Sequence, residues 1–388
     1  MNILFLYDHP LKPENGGTSR ATFLVMEELK RRGHHCWGHL HFSQENPNQI
    51  FYNGERVFSL YNFLVDKNID IVVNQIAYNH WLLQEFLNHG GQQWIDEGGK
   101  VISFMHFDPT RPPFCVTPLI KGLKDKNFVG KIKRLLLLCY LPIFLFKIEK
   151  KNQFSLRYVY EHSHRYVVMS NDYIEAFAKR AKIADTSKIR VITNMLTFPN
   201  ILTPKAIDDK EKIVIVVARL CEEQKKISFI LKVWKNIKNY NGYKLQIIGD
   251  GPDKNMYINW VKKNNMRNVE FLGQQSPLAF YLKARIFLMS SPREGWGLTI
   301  TESMQNGVVP IVLNTSKVFK DIIQDNIDGF LPKKKKDYIE KLQLLLMNDS
   351  IRNKMAITGL HSVSRFVPSV IGEKWNNMIM NLKYDTNC

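Results

Sequence analysis

The sequence predicts two doubly wound α/β domains, and three observations carry that prediction. The chain has 388 residues, more than one hydrophobic core usually organises, with an ordinary globular share of apolar residues. Short apolar runs alternate with amphipathic stretches along its first half, the rhythm of strand–helix units around a parallel sheet. The same rhythm restarts after residue 200.

In the first half, the apolar runs Ile3 to Tyr7, Ile69 to Asn74, Val101 to Met105 and Tyr166 to Met169 read as strands, and Ser19 to Arg32 has helical periodicity. In the second half the strand candidates are Ile213 to Val217, Leu245 to Ile248, Val269 to Leu272, Ile286 to Met289 and Val309 to Leu313. Between them, PNILTPKAIDDKEK from Pro199 to Lys212 is polar and contains proline, as a linker should, which places the boundary near Thr203. The expected division is residues 1–202, residues 203–370, and a C-terminal helix over 371–388 able to pack back on the first domain. The opening MNILFLY is too short for a signal-peptide core and reads as a first buried strand. Two such domains facing each other present the C-terminal ends of both sheets to a central cleft, so chemistry is expected just after strands.

Fifty-four Lys and Arg against thirty-six Asp and Glu leave a net charge of +18, which favours polyanionic partners: nucleic acid, anionic lipid or phosphorylated small molecules. The five cysteines (Cys36, Cys115, Cys139, Cys221, Cys388) have no metal-ligand spacing and form no evident disulfide framework, which fits a reducing cytoplasm.

The most informative string is SSPREGWGLTITESMQNG, from Ser290 to Gly307, directly after the apolar run Ile286 to Met289. It predicts a strand, a glycine loop through Gly295 and Gly297, and a helix from Leu298. The first-turn amides of such a helix, at Leu298 and Thr299, suit a phosphate without a metal. Glu294 precedes the glycine loop and Glu302 lies inside the helix. Carboxylates accept paired hydrogen bonds from vicinal hydroxyls, so one can hold a sugar while the other holds a ribose. In VVARLCEEQKKISFILKVW, Arg219 follows a strand and Lys225 comes six residues later, two cations able to reach the same site. Fixed cations stabilise the charge that builds on a leaving phosphate better than water does. In LQIIGDGPDK, Gly249 and Gly251 follow another strand, and no acidic pair stands at a strand end as a metal motif would. In the first half, Gly16 and Gly17 separate the first strand from a long helix, and His106 follows the strand VISFM. Asp108 and Asn194, both after strands, are further candidates for the acceptor side and for interdomain contacts.

The string SPREGWGLTITESMQNGVVPIV resembles the signature of glycosyltransferase family 4, in which two glutamates separated by seven residues flank a glycine loop. The resemblance covers nearly the whole chain in layout and is specific from about Val214 to Leu331. It implies a GT-B fold and a retaining, metal-independent transfer of a hexose or N-acetylhexosamine. The donor would be a nucleotide-diphosphate sugar, UDP first among the bases, serving as co-substrate with no further cofactor. The family is of the bacterial cell-surface polysaccharide type, with a saccharide or lipid-linked acceptor. By the same resemblance Glu294 orients the donor sugar, Glu302 binds the ribose, and Arg219 and Lys225 neutralise the diphosphate. Gly249 would line the nucleotide side, Gly17 would close over the donor phosphates, and His106 would touch the donor sugar. Many relatives have glycine after the lysine, where this chain has Lys226, so a register one residue off is the alternative. No residue is a clear nucleophile, which is consistent with a front-face route assisted by the departing phosphate.

From Pro118 to Arg157 the chain carries ten basic residues against Asp125 and Glu149, around an apolar stretch from Leu135 to Phe146 that contains Pro142. That stretch is shorter than the ~20 residues a spanning helix needs. Basic flanks and an apolar centre suit a segment lying on an anionic membrane surface, which would make the protein peripheral on the cytoplasmic face of the cell membrane. The alternative is a helix buried in the N-terminal domain with solvated ends. A GT-B-like sugar-nucleotide epimerase is the competing enzyme reading and leaves this insertion without a use. A nucleic-acid-binding protein would need its cations along one face, whereas much of the excess lies here, so nucleic acid is not expected as a partner.

Overall fold

A computed structural model describes residues 1–13, 16–110 and 128–384, with the backbone alone for 128–139, 383 and 384. Residues 118–127 of the basic insertion lie outside the described residues, as do the side chains from Phe128 to Cys139. The chain divides into two α/β units, Met1–Thr193 with Gly372–Cys388, and Asn194–Ile371.

The first unit is built on β1 (Asn2–Leu6), β2 (His35–Phe42), β3 (Ile50–Tyr52), β4 (Glu55–Val57), β5 (Ile71–Asn74), β6 (Lys100–Phe104), β7 (Arg165–Val168) and β8 (Ile189–Val191). They form a sheet in the order β4-β3-β2-β1-β5-β6-β7-β8. Ile3 to Leu6 are fully buried, as a central parallel strand covered on both faces requires. β1 pairs in parallel with both β2 and β5, so the direction of winding reverses between β1 and β5. That reversal opens a crevice at their C-terminal ends. The antiparallel edge β3–β4 turns at Asn53 and Gly54, both at positive φ (49° and 92°), the two-residue turn whose twist matches a hairpin. β2, the hairpin and β8 were not among the expected strands.

The second unit has β9 (Ile213–Val217), β10 (Lys244–Ile248), β11 (Val269–Gly273), β12 (Ile286–Met289) and β13 (Val309–Val312) in the order β11-β10-β9-β12-β13. Val214, Val216, Leu245, Ile247, Ile286, Leu288, Val309 and Ile311 alternate inward along these strands and pack with Trp234, Tyr243 and Tyr338. Each such side chain, fully buried, contributes about 1.5–3 kcal/mol of apolar transfer. The chain runs β9, β10, β11 and then crosses to β12, so the reversal point lies between β9 and β12. Those two strands pair only at Ile286↔Val214 and Phe287↔Ile215, and the ladder stops before their C-terminal ends.

The boundary expected at Thr203 falls nine residues earlier, at Asn194. The connecting segment is bound into the second unit by Gln305, whose Nε2 donates to the carbonyls of Phe198 and Asn200 at 2.6 and 2.8 Å. Leu202 N donates to the Gln305 carbonyl at 2.9 Å, and Leu196 N to that of Phe366 at 2.8 Å. At the other end, the helix Pro368–Tyr384 enters the first unit at Gly372. A Cβ on Gly372 would stand 2.3 Å from Glu28 Cγ, so glycine lets this helix seat against Gly17–Arg31. Trp375 is fully buried against Phe104, and His34 Nε2 bonds Asn376 Oδ1 at 2.8 Å.

The insertion contributes one helix, Phe128–Glu161, with Pro142 removing one backbone hydrogen bond from its interior. Among its described side chains, only those of the last turns sink into the unit, through Ser155, Leu156, Val159 and Tyr160. Upstream, Tyr140, Ile143, Phe146 and Phe154 are 48%, 54%, 63% and 53% exposed, so burial within the domain does not account for these four side chains. Among the described residues no helix is long and apolar enough to cross a membrane.

Candidate active site

In the second unit, the residues following β9 and β12 meet at the reversal point. Gly249 has φ 136°, and a Cβ there would lie 1.9 Å from the Ala218 carbonyl oxygen. A Cβ on Gly251 would lie 2.6 Å from that of Leu220. Leu220 N donates to the Asp250 carbonyl at 2.8 Å, so the glycine turn after β10 packs backbone to backbone against the segment carrying Arg219. The close approach itself requires glycine, and Arg219 is held exposed beside it.

Lys225 ends the short helix Glu222–Lys225, and Lys226 follows in the left-handed region, φ 51° and ψ 44°. Glycine adopts that conformation without steric cost, whereas a lysine there carries the left-handed penalty. The turn is braced by Glu222, which accepts from Ser228 N at 3.1 Å, from Ser228 Oγ and from Tyr257 OH at 3.0 Å. With the turn so fixed, the Lys225 ammonium donates to Glu294 Oε1, and the two side chains are only 25% and 17% exposed. Ser290, at the end of β12, donates to the carbonyls of Lys225 and Lys226 at 3.1 and 2.9 Å and ties the two loops together.

The loop from Ser290 to Gly297 is held from its other side by Thr315 Oγ1, which donates to the Ser291 carbonyl at 2.6 Å, and by Ser316 Oγ, which donates to that of Glu294 at 3.3 Å. Gly297, at φ 106°, turns the chain into the helix Leu298–Gln305, which has no side-chain cap. Its first-turn amides at Leu298 and Thr299 therefore present the positive end of the helix dipole. Glu302 is fully buried, and Tyr281 OH donates to its Oε2 at 3.3 Å. Of the two signature carboxylates, Glu294 is the accessible one.

The first unit carries a second cluster around its own reversal point. Gly17 is exposed and opens the helix Gly17–Arg31, while Gly16 before it has the positive φ of 151°. His106, just after β6, is 7% exposed, and burial pushes its imidazole down to about 3. Its Nε2 lies 2.7 Å from Oε1 of Gln75, which follows β5, and Thr22 Oγ1 on the first helix lies 2.9 Å from the same oxygen. Among the described residues His106 Nδ1 is buried with no hydrogen-bond partner. Asp108 Oδ1 accepts from Thr110 N and Oγ1 at 2.8 and 2.6 Å, the geometry of a local turn. Asn194 is buried at the start of the second unit.

Lys225, Glu294 and the helix opening at Gly297, Leu298 and Thr299 thus share one locality, and Arg219 lies beside the adjoining turn. Ser290, Thr315, Tyr281, Thr22 and Gln75 form no motif. Their only sequence signal is position, since Ser290 and Gln75 each follow a strand.

Residues 198–361 match the family described as glycosyl transferases group 1. The chain is 25% identical over 199 residues to the amylovoran biosynthesis glycosyltransferase AmsD of Erwinia amylovora, covering 49% of this chain and 56% of that protein. It spans about half the length of the curated relatives it matches. Among solved structures, the lipopolysaccharide outer core galactosyltransferase WaaB superposes with a TM-score of 0.65 at 16% identity, covering 98% of this chain and 99% of that one. Anabaena HepE in complex with UDP and glucose does so with a TM-score of 0.66 at 13% identity, covering 98% and 100%. At those identities the likeness shows the fold. The chain has the GT-B fold, and its residues 198–361 are similar to the glycosyl transferases group 1.

Proposed function

We propose that this protein is a retaining glycosyltransferase that moves a hexose or N-acetylhexosamine from a UDP-sugar to a lipid-linked saccharide at the cytoplasmic face of the membrane, in cell-surface glycan biosynthesis. One observation carries the reading: an ammonium and a carboxylate, Lys225 and Glu294, are held together at the β9/β12 reversal point beside an uncapped helix N-terminus. A donor diphosphate supplies the anion that both the ammonium and the first-turn amides accept. Donor sugar hydroxyls supply the donors that Glu294 accepts. The nucleotide therefore replaces each group's present partner with a matched one. Lys225, Arg219 and the amides of Leu298 and Thr299 then stabilise the charge on the departing phosphate, without a divalent ion in the scheme. Glu302, tied to Tyr281, is the carboxylate that the resemblance assigns to the ribose. A relative of amylovoran biosynthesis, a structural neighbour that is a lipopolysaccharide galactosyltransferase, and another neighbour holding UDP and glucose support this donor class.

The test is a screen of the purified protein with UDP-, GDP- and ADP-sugars, recording which nucleoside diphosphate is released. Release from a UDP-sugar that is lost in Glu294→Gln is expected. No release from any donor, or equal release by the variant, would sink the reading.

The membrane part rests on the exposed apolar side chains Tyr140, Ile143, Phe146 and Phe154, interleaved with the exposed Lys147, Lys150 and Lys151. Lysines near an anionic surface contribute about 1 kcal/mol each, and the rings enter the acyl boundary. Co-sedimentation with anionic liposomes should weaken in salt and drop further when Ile143 and Phe146 become Ser. Sedimentation indifferent to lipid charge and to both changes would exclude it.

A further inference from the structure

Polar contacts fasten the helix Phe128–Glu161 to the first unit at two heights. Where the helix sinks into the unit, Ser155 Oγ lies 2.8 Å from Nδ1 of His80, whose ring meets those of Phe154 and Tyr158 at 5.0 and 5.9 Å. The second attachment is higher. Glu149 stands six residues before Ser155, about 9 Å along the helix axis, in the stretch that carries the exposed Phe146, Lys147, Lys150 and Lys151. Arg180, near the end of the helix Asp172–Ala181, donates from Nε and Nη2 to the two oxygens of Glu149 at 2.9 and 2.8 Å.

The same guanidinium reaches the loop that follows β6. Its Nη1 donates to the carbonyl of Pro109 at 3.0 Å. Pro109 is buried, and the loop turns tightly around it, with Asp108 Oδ1 accepting from Thr110 N. Phe107 in this loop is 43% exposed and meets the Tyr78 ring edge-on at 4.8 Å. Tyr78 stands two residues before His80. Both attachments of the helix therefore end on the loops, after β5 and after β6, that carry this aromatic pair.

The Arg180 side chain is only 11% exposed, whereas that of Glu149 is 51% exposed. A guanidinium so far out of water holds its counterion in place, because losing the carboxylate would leave a charge uncompensated. The bidentate fork fixes direction as well as distance. A displacement of Glu149 is thus carried by Arg180 to the carbonyl of Pro109. Above this point Tyr140, Ile143 and Phe146 are exposed, so the unit itself gives these side chains little support. A surface that takes up the rings and lysines would fix the stretch holding Glu149, and ordering supplied there lowers the entropy cost of ordering the loop.

We propose that Arg180 is a positioning residue that couples docking of this helix on an anionic lipid surface to the order of residues 106–110. The proposal rests on the membrane reading and goes beyond it in naming the contact through which the surface acts on the loop carrying Phe107. By linkage the effect is reciprocal, so a ligand that orders the loop strengthens binding to the surface.

The experiment measures sedimentation and deuterium exchange side by side on the full chain, with vesicles of phosphatidylglycerol or of phosphatidylcholine. The reporter is the Thr110 amide, which donates to Asp108 Oδ1 at 2.8 Å and is followed by mass spectrometry of its peptide. Phosphatidylglycerol should slow its exchange about fivefold or more in the parent, and phosphatidylcholine should not. Arg180→Ala should still sediment, with the vesicle effect on Thr110 gone. Glu149→Gln changes an exposed residue and leaves Arg180 able to reach Pro109, so Thr110 should keep its parental exchange without lipid and lose most of its response to it. Slowing that persists undiminished in both variants would mean that the surface covers the loop directly, and overturns the coupling. A parent that sediments with Thr110 exchange unchanged also overturns it and leaves the membrane reading standing. A parent that does not sediment sinks both. Nucleoside-diphosphate release should rise with phosphatidylglycerol in the parent and stay flat in Arg180→Ala, and an equal rise in the two overturns the coupling.

Discussion

The loop at Lys225 and Lys226 shows how a single backbone conformation assigns roles to two adjacent identical residues. Lys226 spends its position on a left-handed turn, while Lys225 is delivered to Glu294. Lys225→Ala should weaken nucleoside-diphosphate binding by about tenfold or more, because a charge-assisted contact is lost, and Lys226→Ala should leave it unchanged. Calorimetric titration decides between them, and a loss confined to Lys226 would move the role by one residue. Lys226→Gly should stabilise the second unit by about 0.5–1 kcal/mol in urea unfolding, since it removes the left-handed penalty. Gly249→Ala should do the reverse, at about 1–3 kcal/mol, because its methyl would meet the Ala218 carbonyl and push aside the segment carrying Arg219. At this scale the candidate site was largely legible. Glu294, Lys225 and the glycines stand where their spacing placed them, because turn chemistry is local. The burial of Glu302 under Tyr281 was not, because an exposed and a buried glutamate look alike in sequence.

Among the elements, β2 was the hardest to see. HCWGHLHF breaks its apolar alternation with imidazoles, and only packing shows that Cys36, Leu40 and Phe42 point inward. On the other side, His39 stacks on His41, and His41 on Phe51. Burial pushes His39 down to about 4, and His164 and His106 are likewise pushed down to about 4 and about 3. The folded unit therefore resists protons that the unfolded chain takes up near 6.5, so stability present at neutral pH is lost as pH falls from about 6.5 toward 4. Urea midpoints of the first unit should decline across that window, and His39→Phe should reduce the slope. The opposite end of the scale concerns the helix Leu278–Lys283 in the second unit. Lys210, 3% exposed, donates to the carbonyls of Tyr281 and Leu282 in its last turn, and burial lowers its ammonium from 10.5 to about 7. Here the unfolded chain holds the extra proton between those values, so stability should rise with pH from about 7 to about 10. Lys210→Met should flatten that rise, and an unchanged slope would remove Lys210 as its cause.

For the whole molecule, the chain returns at its end to the unit where it began. Trp375, fully buried on Phe104, belongs to the core of the first unit although it follows the whole of the second. Trp375→Ala should cost the first unit about 3–5 kcal/mol and leave the second unit's transition in place, which calorimetry can resolve as two components. A single transition shifted as a whole would show that the two units unfold together. The connection from Asn194 to Leu202 belongs to the second unit for an equally specific reason. Gln305 satisfies the backbone of Phe198 and Asn200, and no linker composition announces a partner more than a hundred residues away.

The sequence by itself determined the two α/β halves, the strands that flank the glycine loop, and the identity of the residues around it. Those features follow from apolar periodicity, from glycine's access to positive φ and from the chemistry of residues placed at strand ends, all properties of a few consecutive residues. Tertiary structure alone decided which of those residues act together. It brought Lys225 to Glu294 across 69 residues, Gln75 to His106 across 31, and Asn376 to His34 across 342. Such pairings depend on strand order, on where the winding reverses and on which side chain burial deprives of water. Each is a product of the packed whole, in which a contact stabilises only after the chain between its partners has been ordered.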